Sequence, residues 1–252
     1  MRAIILGCGT AGGVPRIGDD WGSCDPGEPR NRRRRASIAV EHAGTRLLVD
    51  TSPDLRMQAI DCGIDRVDAV LYTHDHADHT HGIDDLRFFA IRQRREIDIY
   101  GDRRTLDSLH RRFGYVFRNG GPLYPPIAQP HEIDGPFRIG AIDIAPFPQD
   151  HASMTTLGFR FGPIAYSTDA VRLPEDAFRA LDGVRVWIVD ALQEEPHLTH
   201  AHLERTLAWI ARVQPERAVL THMNYTLDYG SLKARLPPGV EPAYDGMHIE
   251  AS

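Results

Sequence analysis

Apolar positions in this chain come in short runs that end on polar or ionisable residues. Val67-Asp68-Ala69-Val70-Leu71-Tyr72 stops at Thr73-His74-Asp75-His76-Ala77-Asp78-His79. Ile142 to Phe147 leads toward His151, Ile164 to Thr168 stops at Asp169, and Ala218 to Thr221 stops at His222. Runs of this length, rich in β-branched residues, predict strands that deliver an ionisable side chain at or just beyond their last residue. Met1 to Gly7 predicts a first strand. Ser37 to Glu41 and Arg46 to Asp50 predict a hairpin turning through Ala43-Gly44.

Elsewhere the apolar spacing changes to three and four. Ser52-Pro53 opens a helix, with a capping hydroxyl followed by proline in the first turn; Leu55, Ala59 and Cys62 share a face and Gly63 ends it. Asp102 to Phe113 predicts a second helix stopped by Gly114, Pro174 to Leu181 a third stopped by Gly183, and His202 to Val213 a fourth. Five prolines and three glycines between Asn119 and Pro136 predict a long loop covering one sheet edge, over the candidate site. Gly7-Cys8-Gly9-Thr10-Ala11-Gly12 fits a dinucleotide-binding pattern, which works only where the glycines open a helix. Pro15 and the turn formers after it forbid that helix, so the glycine loop is expected near the rim of the site, where small residues admit substrate to the backbone.

Composition narrows the picture modestly. A chain of 252 residues with 42% hydrophobic content can bury a full core, and one domain over 1–252 is expected. No stretch approaches the ~20 apolar residues of a membrane span, and the opening apolar run is too short for a signal peptide, so no membrane partner and a cytoplasmic location are expected. Cys8, Cys24 and Cys62 imply no disulfide framework. A net charge of -6 argues against a large nucleic acid as partner. The exception is Arg30-Asn31-Arg32-Arg33-Arg34-Arg35, either a solvated loop or a source of one or two phosphate-gripping arginines among Arg30, Arg32, Arg33, Arg34 and Arg35.

Three histidines and two carboxylates within seven residues suit divalent transition metals. His74 and His76 are two apart, so an extended backbone points both the same way, and Asp78 and His79 follow the turn. His74-x-His76-x-Asp78-His79 resembles the signature of the metallo-β-lactamase superfamily. The resemblance implies an αββα four-layer sandwich of two mixed β-sheets and a dinuclear site. It implies that His74, His76 and His151 hold one metal, that Asp78, His79 and His222 hold the other, and that Asp169 bridges them. It also implies that Asp50 buttresses the metal loop. The His/Asp mixture suits zinc or manganese, with iron also compatible. Two such ions share a hydroxide nucleophile, with Asp78 both ligand and holder of its proton.

His200, in Pro196-His197-Leu198-Thr199-His200-Ala201-His202 before the fourth helix, is the candidate proton donor to the leaving group, with His197 and His202 close enough to compete. Its position is similar to that in the phosphodiesterase branch of the superfamily, as are Leu220-Thr221-His222 and Tyr244-Asp245-Gly246-Met247. That branch commonly carries a structural zinc, but here the first ligand region has only Cys24 and a later position is Tyr225, so none is expected. The expected activity is hydrolysis of a small cyclic phosphate or nucleotide. Alternatives are a tRNA-processing nuclease, lactonase or thioesterase of the same fold, or a non-catalytic metal or metabolite binder. A homodimer is compatible with the sequence. His81 is a candidate support for a metal ligand; His42, His110, His131 and His248 have no assigned role.

Overall fold

The computed structural model describes residues 1–118, 120–121 and 124–251. Among them, two seven-stranded sheets face each other. The first runs in the order β14 (His248–Glu250), β1 (Arg2–Gly7), β2 (Ser37–His42), β3 (Thr45–Val49), β4 (Ala69–Leu71), β5 (Ile97–Gly101), β6 (Ala128–Glu132). The second runs β13 (Val240–Pro242), β12 (Arg217–Thr221), β11 (Val186–Asp190), β10 (Ile164–Ser167), β9 (Met154–Phe161), β8 (Ile142–His151), β7 (Phe137–Ile139). Each is mixed: β3 to β6 are parallel beside an antiparallel half, and β10 to β13 are parallel beside antiparallel β7 to β9.

Helices cover both outer faces. Leu6, Leu48, Val70 and Ile99 of the first sheet pack under α1 (Leu55–Asp61), α3 (Leu86–Gln93) and α4 (Arg103–Arg112). Alternate residues on the same strands, among them Ile5, Leu47, Val49 and Leu71, point inward to Phe147, Phe159 and Tyr166 of the other sheet. The core continues to α5 (Glu175–Leu181), α6 (Leu203–Val213) and α7 (Tyr229–Arg235). A short helix, α2 (Ala77–Thr80), lies within the histidine cluster. This is the expected αββα sandwich.

The predicted helices form within one or two residues of their expected ends. Asp102 caps α4 by accepting from Thr105 N at 2.7 Å, and His202 is the residue before α6. Ser52 behaves differently from a helix cap: its hydroxyl accepts from Asp54 N at 3.1 Å, closing a turn that α1 then continues. The proline-rich segment corrects the sequence reading. Asn119, Pro122 and Leu123 lie outside the described residues, but Ala128–Glu132 is no loop; it is the parallel edge strand β6, paired with β5. Pro130 is tolerated there because an edge strand has one side without a ladder partner.

The parallel strands all end at one rim. β3 leads to Asp50, β4 to the histidine loop, β10 to Asp169, β11 ends at Asp190 and β12 leads to His222, while β8 brings His151. The carboxyl ends of parallel strands are where open α/β sheets assemble their sites.

Candidate metal centre

Construction of the rim begins with a buried carboxylate. Asp50 has left-handed backbone (φ 66°) and accepts from both Thr73 N and Thr73 Oγ1 at 2.8 Å, which fixes the start of the histidine loop to β3. It also holds His79 Nδ1 at 2.7 Å. Asp50 takes Nδ1, so Nε2 of His79 is the atom turned to Asp169 Oδ2 at 3.1 Å and Asp78 Oδ2 at 3.3 Å, and these carboxylates raise its proton affinity well above the ordinary imidazole range despite burial. His151 is oriented in the same way, its Nδ1 donating to the Thr199 carbonyl at 2.7 Å while Nε2 lies 3.9 Å from Asp169 Oδ1.

All seven residues expected as ligands come together. His74, His76, His151 and Asp169 offer ligand atoms within 4.8 Å of one another, as do Asp78, His79, Asp169 and His222. Asp169 belongs to both groups: Oδ1 faces His74 and His151, while Oδ2 faces His79 and His222. Nε2 of His74, His79 and His222 is buried without a hydrogen-bond partner. A buried imidazole nitrogen left unpaired is costly unless a cation accepts its lone pair, so the donor set fits divalent metals. Burial holds His74 and His151 below the ordinary imidazole range, keeping those lone pairs available at neutral pH. Burial works against the Asp78 carboxylate, but His79 and His222 hold it well below the usual carboxylate range.

His200 stands beside this centre. Its Nδ1 is 3.2 Å from Asp190 Oδ2 and 3.8 Å from Asp169 Oδ1, and its ring stacks on His222 at 4.8 Å. Burial lowers its proton affinity, but Asp190 outweighs burial and pushes its pKa up to about 9. His197 lies exposed against Thr199, and His202 sits at the start of α6, so geometry separates His200 from its two neighbours.

Asp190 lies outside the sequence reading, and Arg33 has a structural place other than the phosphate grip that was one expectation for it. Asp190, fully buried at the end of β11, holds His200, accepts from Ala170 N at 3.1 Å, and lies 3.8 Å from His222 Nδ1. Its signal was an apolar strand ending on a carboxylate, the same signature as the other ligand runs. Arg33, at the middle of the arginine run, is buried; it donates to the carbonyls of Asn224 (3.0 Å) and Leu227 (2.6 Å), tying down the loop that follows His222. Cys24 is buried near Arg33 at this junction. The remaining arginines go elsewhere: Arg30 to Glu28, Arg34 to Asp61, Arg35 to Asp54, and Arg32 over the Trp21 ring. The glycine loop opens no helix and runs beside the rim, with Gly9 bridged to Met223 next to His222. His81 is exposed against Arg112 and Phe113.

Residues 45–223 match the beta-lactamase superfamily domain. With the sandwich and the rim of histidines and aspartates, this defines the class: the chain belongs to the metallo-β-lactamase superfamily. Within it, the branch to which the motifs point is matched by the crystal structure of a new diphosphatase from the PhnP family, which superposes with a TM-score of 0.91 at 32% identity over 99% of this chain and 97% of that one. An octanoyltransferase of Porphyromonas gingivalis is 34% identical over 253 residues, 98% of this chain but 51% of that protein. A ribonuclease Z of Bradyrhizobium is 30% identical over 142 residues, 53% of this chain and 46% of the relative. The chain thus spans about half the length of these two relatives.

Proposed function

We propose that the chain is a dinuclear metal-dependent phosphodiesterase that hydrolyses a small cyclic phosphate or nucleotide. The observation that carries the reading is the position of Asp169, whose two oxygens face two separate ligand groups while His200 lies 3.8 Å from the same carboxylate. His74, His76 and His151 would hold one divalent ion, zinc or manganese, and Asp78, His79 and His222 the other, with Asp169 shared. When bound, such ions supply a hydroxide nucleophile at neutral pH and neutralise charge that builds on the phosphoryl oxygens. Asp78, kept ionised by its histidines, is placed to hold the proton of the attacking water. His200, kept protonated by Asp190, is placed to donate a proton to the leaving oxygen. The match to a solved diphosphatase supports phosphorus-oxygen cleavage as the reaction class.

The partial match to ribonuclease Z supports a second reading, a nuclease. Against it, Arg30, Arg34 and Arg35 are each already paired with a carboxylate, and a net charge of -6 disfavours binding a run of phosphates. The direct test is elemental analysis of the purified, metal-loaded protein. About two ions per chain are expected, with His76→Ala and Asp169→Asn each lowering the content; one ion or fewer in the wild type would overturn the dinuclear reading.

A further inference from the structure

The backbone divides the arginine run. From Arg32 to Arg35 the chain is extended, with Arg33 bridged to Val14 and Arg35 to Gly9. Side chains along such a segment alternate between its two sides. Arg33 turns inward to the carbonyls of Asn224 and Leu227, so Arg32 and Arg34 turn the other way together. Both line a pocket of about 380 Å³ beside the end of α1, and none of the seven candidate ligands, nor His200, lines it. The 3-10 turn Pro29–Asn31 brings Arg30 to the same pocket.

The three guanidinium groups differ in what they have left to give. Arg30 is committed to Glu28 through two bonds of 2.7 Å each. Arg34 meets Asp61 through one nitrogen at 2.6 Å, which leaves its other donors. Arg32 has no carboxylate partner among the described residues; its guanidinium lies 5.0 Å from the Trp21 ring. The rest of the pocket is partly apolar, with Leu6, Pro29, Tyr244 and Cys62. Its volume falls in the range of ~300–1,000 Å³ typical of small-molecule sites, where apolar walls and a few fixed polar groups select the ligand. Guanidinium forks beside an apolar wall suit an organic anion. Asp61 and Asp245 also line the pocket, so a single negative charge gains little over the carboxylate already on Arg34. A doubly charged phosphoryl group can engage both arginines at once, each through a fork that matches its oxygens. We propose that this pocket binds a small organic phosphate, with the phosphoryl head on Arg32 and Arg34 and the apolar body against Tyr244 and Cys62. The site is separate from the metal centre and does not rest on the reaction proposed there.

Cys62 supplies the readout, because it is half-buried in the pocket wall whereas Cys8 and Cys24 are buried. The rate of its alkylation by iodoacetamide is followed by peptide mass spectrometry on the full, metal-loaded chain. Burial pushes the Cys62 thiol up, so the reaction is run at about pH 9 to supply thiolate. The probe is phenylphosphonate, a dianion whose carbon–phosphorus bond a phosphoesterase does not hydrolyse. Its binding should slow alkylation in proportion to 1 + [L]/Kd, roughly tenfold at about ten times Kd. Benzoate, with one charge on the same ring, should protect only at much higher concentration. Arg32→Glu, an exposed substitution, should abolish protection and leave the unprotected rate and the circular dichroism spectrum unchanged. Arg138→Glu, the same charge change on β7, should leave protection intact. Absence of saturable protection in the wild type, equal protection by benzoate, or protection that survives Arg32→Glu overturns the proposal.

Discussion

Asp50, Asp169 and His222 all have positive φ, at 66°, 54° and 56°. For a residue other than glycine this costs of order 1 kcal/mol or more, and the neighbouring structure must impose it. Here it turns each side chain from the end of a strand into the rim. The residue-scale division of labour is clearest for His200, the proposed proton donor, which lies 3.2 Å from Asp190 and 3.8 Å from Asp169. His200→Ala should keep its metals and lose roughly 100- to 10,000-fold in rate on an alkyl phosphodiester. The loss should shrink on a nitrophenyl ester, whose leaving group scarcely needs a proton. Equal losses on both substrates would make His200 a phosphate-binding group, and loss of metal would make it structural. Every candidate ligand was legible because each ends or closely follows an apolar run or stands in the dense cluster after one. Asp190 bore the same signature at the end of Val186–Asp190, yet without a motif to single it out one strand-terminal aspartate looks like another. Arg33 was not legible at all, since nothing in a run of arginines distinguishes the one whose guanidinium is satisfied by buried carbonyls.

Among the elements, the histidine loop is held by backbone contacts with no slack. Gly82 N donates to Thr51 O at 2.9 Å, and a Cβ on Gly82 would stand 2.1 Å from Ser52 O. Gly82→Ala must therefore push the loop off the segment that follows β3, and a loss of about 2 kcal/mol or more in stability is expected, read as a lower urea midpoint with weakened metal retention. An unchanged midpoint would show that the loop adjusts freely. Beside the glycine loop that follows β1, Asp245 accepts from Cys8 N at 3.1 Å and Arg34 N at 2.8 Å, and burial pushes its pKa up to about 6. A carboxyl raised in the folded state binds its proton more tightly there, so its stabilising contribution is complete below about pH 4 and is lost as pH rises through about 6. The stability difference between wild type and Asp245→Asn should fall across that window by up to about 3 kcal/mol and stay flat above it. A difference constant from pH 4 to 7 would contradict this. Four helices were legible from their spacing and stops. Helix α3 was not, because its exposed face is also apolar and erases the periodicity, and β6 was hidden by a proline that only an edge strand accepts.

For the whole molecule, two sheets of different strand order converge their carboxyl ends on one rim, and long-range pairing creates the site: Asp50, His79, His151 and His222 are far apart in sequence and meet only when both sheets have closed. The layered architecture and rim chemistry were readable because strand-plus-ligand blocks recur in order along the chain. The order of strands within each sheet, such as β11 between parallel β10 and β12, depends on long-range pairing that no local pattern states. The relatives are named for different reactions, so the reaction must be decided by turnover. The measurement that bears most directly on the proposed chemistry is the second-order rate of metal-loaded protein on a small cyclic phosphodiester beside a lactone, a thioester and single-stranded RNA. A phosphodiesterase with a proton-donating histidine should favour the cyclic phosphodiester by at least ~100-fold, the scale that one positioned proton donor contributes. A faster rate on the lactone, the thioester or the RNA would contradict it.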